Sequence, residues 1–198
     1  MKPLRNLAAL TCGLLLAGSV LAQASPTSVN LMVPYPAGGP SDTIARTMQT
    51  PLGKALGQSV IVENLGGAGG TIAGQKVLSA PADGHHTFLG SPNEVILSPL
   101  VLAGVKYKPE DFRLVHPVSN ATMVFVARKD LPANNVDELI ALARKSKDKP
   151  LTYGSVGIGS LYHLIMEDVQ KRQNVRLLHV PYKGNAPLVQ DLGGGQVD

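Results

Sequence analysis

The sequence has no tryptophan, three phenylalanines and five tyrosines among 198 residues. Recognition by stacked rings, the usual way to hold nucleobases or cationic ligands, is therefore poorly provided for. The single cysteine, Cys12, lies in the N-terminal apolar stretch, so no intrachain disulfide is available and stability must come from an apolar core. That stretch, Leu7 to Leu21, is too short for a comfortable span of a ~30 Å hydrocarbon core, and no later run is long enough either. No basic cluster with interleaved aromatics occurs, which argues against nucleic acid as a partner.

The first residues, "MKPLRNLAALTCGLLLAGSVLAQA", combine a basic start (Lys2, Arg5), an apolar run and small residues at Ala22 and Ala24. This is the pattern of a secretory signal, with cleavage expected after Ala24. A lipid anchor on Cys12 fits less well, because "AALTC" lacks a leucine three residues before the cysteine. Removing residues 1–24 takes the formal charge from +4 to +2, so part of the basic character belongs to the leader. The mature chain is expected to be exported, soluble and not membrane-inserted.

What the chain has in quantity is glycine, 21 residues, concentrated before helix-like runs. The stretch "VPYPAGGPSD" (Val33 to Asp42) joins an apolar strand, Val29 to Val33, to a helix expected from Ser41 to about Leu56. The helix rests on the spacing of Ile44, Met48, Leu52 and Leu56, with Ser41 or Asp42 as cap, Gly57 as terminator and a kink expected at Pro51. A strand over Ser59 to Val62 completes a parallel crossover unit. "ENLGGAGGTIAG" repeats the design, with Thr71 placed to cap a helix, and "HHTFLGSPN" supplies a third strand ending in a Gly/Ser turn. "KYKPEDFRLVHPVSN" and "ATMVFVARKD" read as extended segments, and Asn135 and Glu138 form a capping box ahead of "VDELIALARK". The alternation then resumes: strand "LTYGS", turn "VGIGS", a helix from about Ser160 to Gln173, strand "RLLHVPY", turn "KGN" and helix "APLVQDL".

These turns suggest a chemistry. The first amides of a helix have no internal acceptor and the macrodipole adds partial positive charge, so glycine-rich helix starts suit small anions. One helix end contributes about 0.3–1 kcal/mol, whereas micromolar binding needs about 8 kcal/mol. Several turns must therefore converge, as they do along one edge of an open parallel sheet. Catalytic patterns are weak by comparison. "GGAGGT" lacks the Lys-Ser/Thr pair of a phosphate loop, "GSVG" is not a nucleophile elbow, and His85 and His86 would point to opposite strand faces. Ser160 and His163 lie three apart on one helix and leave open a secreted hydrolase or transferase, although Ser160 is the natural helix cap.

The ordered set "VPYPAGGPSD", "VIVENLGGAGGTIAG", "APADGHHTFLG", "YKPEDFRLV", "LTYGSVGIGSLYHL" and "VPYKGNAPLVQDLGGGQVD" resembles the Bug (TctC-like) extracytoplasmic solute receptors of tripartite tricarboxylate transport systems. The resemblance implies an α/β, two-lobed periplasmic binding protein of type II. Each lobe would be a mainly parallel sheet flanked by helices, with a first lobe over residues 25–119, an incomplete second lobe over 120–198, and the C-terminal return beyond residue 198. It implies a periplasmic, monomeric, non-enzymatic receptor for a small carboxylate, of the di- or tricarboxylate or acidic amino-acid type. Such a receptor needs no metal or cofactor and delivers its ligand to membrane permease subunits; a sensory role would use the same binding chemistry. The implied ligand-binding residues are Tyr35, Pro36, Ala37, Gly38, Gly39, Asp42, Asn64, Gly67, Ala68, Gly69 and Ser91 from one side, and Ser155, Gly157, Gly159, Ser160, His163, Tyr182 and Gly184 from the other. Leu65-Gly66 stand where the family has Arg-Pro, which leaves that turn less charged. With its C-terminal return beyond residue 198, the chain is expected to fold incompletely by itself.

Overall fold

Val29, Leu31, Met32 and Val33 are all buried, so the first strand is apolar on both faces, as a central parallel strand requires. In the computed structural model, which describes residues 28–198, this strand is β1 (Ser28–Val33). The expected leader lies outside the described residues. β1 pairs in parallel with β2 (Ser59–Asn64) and with β3 (His86–Phe88), giving the order β2-β1-β3. Helix α1 (Pro40–Leu56) links β1 to β2, and α2 (Thr71–Leu78) leads from β2 toward β3. Ala45, Leu52, Val60, Val62 and Leu89 close over the strand residues to form the first core.

A second parallel pair, β4 (Thr152–Ser155) with β5 (Leu178–Pro181), has its own core of Ala143, Tyr153, Met166 and Leu177. Its helices are α4 (Val136–Lys145), α5 (Leu161–Gln173) and α6 (Asn185–Gly193); the short α3 (Ser98–Val101) follows a π-helical turn at Asn93–Leu97. Each sheet thus carries its own apolar centre.

Several local expectations are corrected. Helix α1 is capped by Gly39, with Pro40 at its first position, where a missing N–H costs nothing. Ser41 and Asp42 do not cap it; the Asp42 carboxylate turns back to accept the Gly38 amide at 2.9 Å. Pro51 is exposed and the helix runs on through it, while Leu56 is half exposed, outside the expected apolar stripe. Gly57 ends the helix at φ 66°, as anticipated. Thr71 is the first residue of α2, not its cap, and its hydroxyl donates to Ala68 O. β2 runs two residues beyond Val62. Residues 112–128, expected as extended segments, pair with no strand among the described residues.

The Asn135 cap is present: its Oδ1 accepts the Glu138 amide at 2.9 Å, while Glu138 returns onto the amide of Asn134 rather than that of Asn135. Asn135→Ala is expected to cost about 1 kcal/mol, read as a lowered midpoint in urea unfolding.

Candidate functional site

The turns that end β1, β2, β4 and β5 meet at one place. Leaving β1, Pro36 sits against two other turns. A Cβ built on Gly66 would stand 2.8 Å from Pro36 Cδ, and one on Gly184 would stand 2.6 Å from the same atom. Gly157, at φ 129°, has its Cα side against Gly69: a Cβ there would lie 3.2 Å from the Gly69 amide nitrogen. Gly66 and Gly184 thus leave no room for a side chain, and Gly157 disfavours one by its tight approach and by its conformation. The second turn is strained as well as tight, since Ala68 holds φ 46° between the left-handed Gly67 and Gly69.

Hydrogen bonds fix the first-sheet side of this cleft. Asn64 Nδ2 donates to Tyr35 O at 3.1 Å, and the Leu65 amide donates to Val33 O. Asp42 is buried and accepts from the Gly38 amide and from Arg46 Nε at 3.0 Å; these donors, Arg46 first, hold its carboxyl below the usual range. Asp42 Oδ1 and Ser98 Oγ have no hydrogen-bond partner among the described residues. Beneath the turns lies Glu94, fully buried, accepting from the Ser91 amide at 2.7 Å, Ser91 Oγ at 2.8 Å and the Tyr35 hydroxyl at 3.1 Å. Burial pushes the Glu94 carboxyl up, and burial together with the Glu94 charge pushes the Tyr35 phenol up.

On the other side, Ser160 caps α5, its Oγ accepting the His163 amide at 3.3 Å. His163 Nδ1 accepts the Gly159 amide at 3.2 Å, so that ring nitrogen carries no proton and the proton of the neutral ring sits on Nε2, toward Glu167. The Ser160/His163 nucleophile and base pair allowed by spacing is therefore not formed. The serine hydroxyl that meets an imidazole is Ser155, 2.7 Å from Nε2 of His179, and that ring stacks on His163 at 4.3 Å. Burial and the neighbouring His163 push His179 down. Ser155 is buried and its hydroxyl also binds both the amide and the carbonyl of Gly157, which makes it a brace for the turn rather than an exposed nucleophile.

Of the predicted site residues, the structure brings Pro36, Gly69, Gly157 and Gly184 close together; Asn64 is bonded to Tyr35 and Ser91 to Glu94, while Asp42 and His163 lie on the first turns of α1 and α5. Gly38, Gly157 and Gly159 already give their amides to Asp42, Ser155 and His163. Tyr182 turns its hydroxyl to Asp191 at 2.8 Å, and burial with Asp191 raises it to about 12. Ala37 and Ala68 are exposed at the rim. Sequence reasoning missed Asn93, Glu94, Ser98 and His179; the polar pair Asn93-Glu94 directly ahead of the apolar "VILSPL" run was the available signal. Two open grooves of about 430 and 450 Å³ lie away from the turns, one along α2 and Tyr107, the other between Ala127–Asp130 and Gly193–Gly195. The turns themselves are closed onto each other.

The paired parallel sheets, with their strand ends facing across one cleft, are the architecture of two-lobed periplasmic binding proteins. Residues 44–198 match the model of the tripartite tricarboxylate transporter family receptor, and the chain belongs to that family. It is 38% identical over 171 residues to a UPF0065 protein in the TAR-I ttuE-ttuC' intergenic region of Agrobacterium vitis, covering 86% of this chain and 49% of that protein. Among solved structures it resembles MatC of Rhodopseudomonas palustris with bound malate (TM-score 0.80, 31% identity, 88% of this chain and 60% of that one). It also resembles R. palustris Rpa4515 with adipate (TM-score 0.68, 32% identity, 87% and 58%). The chain spans 49% to 62% of the length of the curated relatives it matches.

Proposed function

We propose that this chain is the ligand-binding part of a periplasmic receptor for a small di- or tricarboxylate or acidic amino acid, which the receptor hands to the permease subunits of a tripartite transporter. The first lobe comprises residues 25–119 and the second begins at residue 120. The leader is removed after Ala24, and the receptor acts as a monomer without enzymatic turnover. The observation that carries this reading is the meeting of four glycine-built strand ends at one point, where Pro36, Gly66, Gly69, Gly157 and Gly184 approach to van der Waals contact. A ligand that enters when the lobes part would face main-chain donors from both sides. Asp42 and Glu94 are already engaged beneath, and the Arg46 guanidinium is spent on Asp42 and Asn64, its Nε donating to Asp42 at 3.0 Å and its Nη2 to Asn64 Oδ1 at 3.4 Å. A carboxylate would be held by amides and bridging waters, whose adaptable geometry tolerates different carbon skeletons. Malate and adipate in the related structures fit this chemistry.

Calorimetric titration with malate, adipate, citrate, glutamate and inorganic phosphate tests the reading. Micromolar binding of at least one carboxylate, with phosphate silent, is expected; silence across the carboxylates, or turnover of an ester that depends on Ser155 or Ser160, would overturn it.

A further inference from the structure

Asn93 is buried in the middle of the cleft and bonds in both directions. Its Nδ2 donates to Gly69 O at 2.9 Å and lies 3.3 Å from the Tyr35 hydroxyl, both on the first-sheet side. Its Oδ1 accepts the amide of Leu161 at 2.9 Å, on the opposite side. Leu161 is the first residue of α5, so its N–H is one of the helix-start donors without an internal acceptor. Asn93 thus caps a helix across the cleft. Beside it, the Ser98 hydroxyl is fully buried and unpartnered, 3.4 Å from the position of a Cβ on Gly69.

We infer that Asn93 is the latch of the closed receptor: its carboxamide ties the Gly69 turn of one lobe to the helix start of the other, and so sets the open–closed balance and the lifetime of the bound carboxylate. This deepens the receptor reading above and rests on it for the ligand, but not for the closure itself. The bond exists only when the lobes meet, so its loss weakens the closed state and leaves the open one unchanged. Apparent affinity scales with the closed fraction. A single hydrogen bond to a helix start corresponds to about a fivefold change in that equilibrium.

Two substitutions remove the same bond from opposite ends. Asn93→Ala deletes the acceptor. Leu161→Pro deletes the donor and keeps the helix, because proline is favoured at a first helical position and Ser160, at φ −68° and ψ 157°, already has the backbone that precedes proline. Spin labels on cysteines replacing the exposed Thr50 and Lys171 report the distance between α1 and α5 without ligand. Each variant is expected to raise the ratio of open to closed population about fivefold, the double variant no further than either alone, and the malate off-rate to rise in parallel. Unchanged distance distributions, strictly additive effects, or tighter malate binding in Asn93→Ala would overturn the latch. Should no carboxylate bind while the distances still shift as described, the ligand reading fails and the latch stands.

Discussion

Gly184→Ala is expected to weaken carboxylate binding about 10- to 100-fold while each sheet and its core remain folded. Gly184 has φ 168° and ψ 179°, extended backbone that alanine adopts without strain. The added methyl would instead stand 2.6 Å from Pro36 Cδ and 3.6 Å from Tyr35 Cβ, across the cleft. Pro36 cannot swing aside, because its ring is locked to the backbone. Relief must come from separating the two sides, so the substitution acts as a wedge against closure. Overpacking of this kind costs about 1–3 kcal/mol, which an affinity registers at tenfold per 1.4 kcal/mol. Calorimetry with the best carboxylate ligand reads the loss, and circular dichroism should show an almost unchanged melt. Normal affinity in Gly184→Ala would remove Pro36 and Gly184 from the closing surface.

The second large effect concerns Glu94. Glu94→Leu is expected to lower stability by about 3 kcal/mol, since it strands the Ser91 amide, the Ser91 hydroxyl and the Tyr35 hydroxyl in a buried site, each at about 1–3 kcal/mol, partly offset by relief of the carboxyl's own desolvation. Glu94→Gln keeps an acceptor and isolates the charge. Burial raises the Glu94 carboxyl above its ordinary 4.5, so the folded state holds that proton more tightly than the unfolded chain does. Its contribution to stability is full below about pH 4.5 and is lost as pH rises through the higher folded value. Asp42, Glu63 and Asp198 are shifted the other way and favour the folded state at higher pH. The difference between the parent and Glu94→Gln in urea unfolding from pH 4 to 8 removes these shared contributions. It should show the parent losing ground to the variant as pH rises; parallel curves would mean that Glu94 does not titrate differently on folding.

Much of this arrangement is legible in the residues because the signals are local. β1 follows from its apolar run, Gly57 from the need to end a helix in the left-handed region, and the Asn135 and Ser160 caps from side chains that satisfy helix-start amides. The crossing glycines were legible as turns, and the family resemblance brought them to one site. What could not be read were the contacts between elements distant in sequence. Asn93 and Leu161 are 68 residues apart, and Ser155 and His179 are 24 apart, so no period or motif links them. Asp42, like Ser41, has a real preference for helix starts, but the Gly38 amide and Arg46 compete for its carboxylate and win. Residues 112–128 carry strand-like composition but pair with no strand among the described residues, since composition specifies a face to bury and not the neighbour that buries it.

The proposed hold of main-chain amides from facing strand ends on a carboxylate is tested most directly by amide-resolved NMR during a malate or adipate titration. With ¹⁵N-labelled protein, the largest shifts are expected at Gly39, Gly67, Ala68 and Gly69 together with Ile158 and Gly184, saturating at one ligand per chain. Shifts confined to the grooves beside Tyr107 or Arg128, or confined to one side of the cleft, would contradict it.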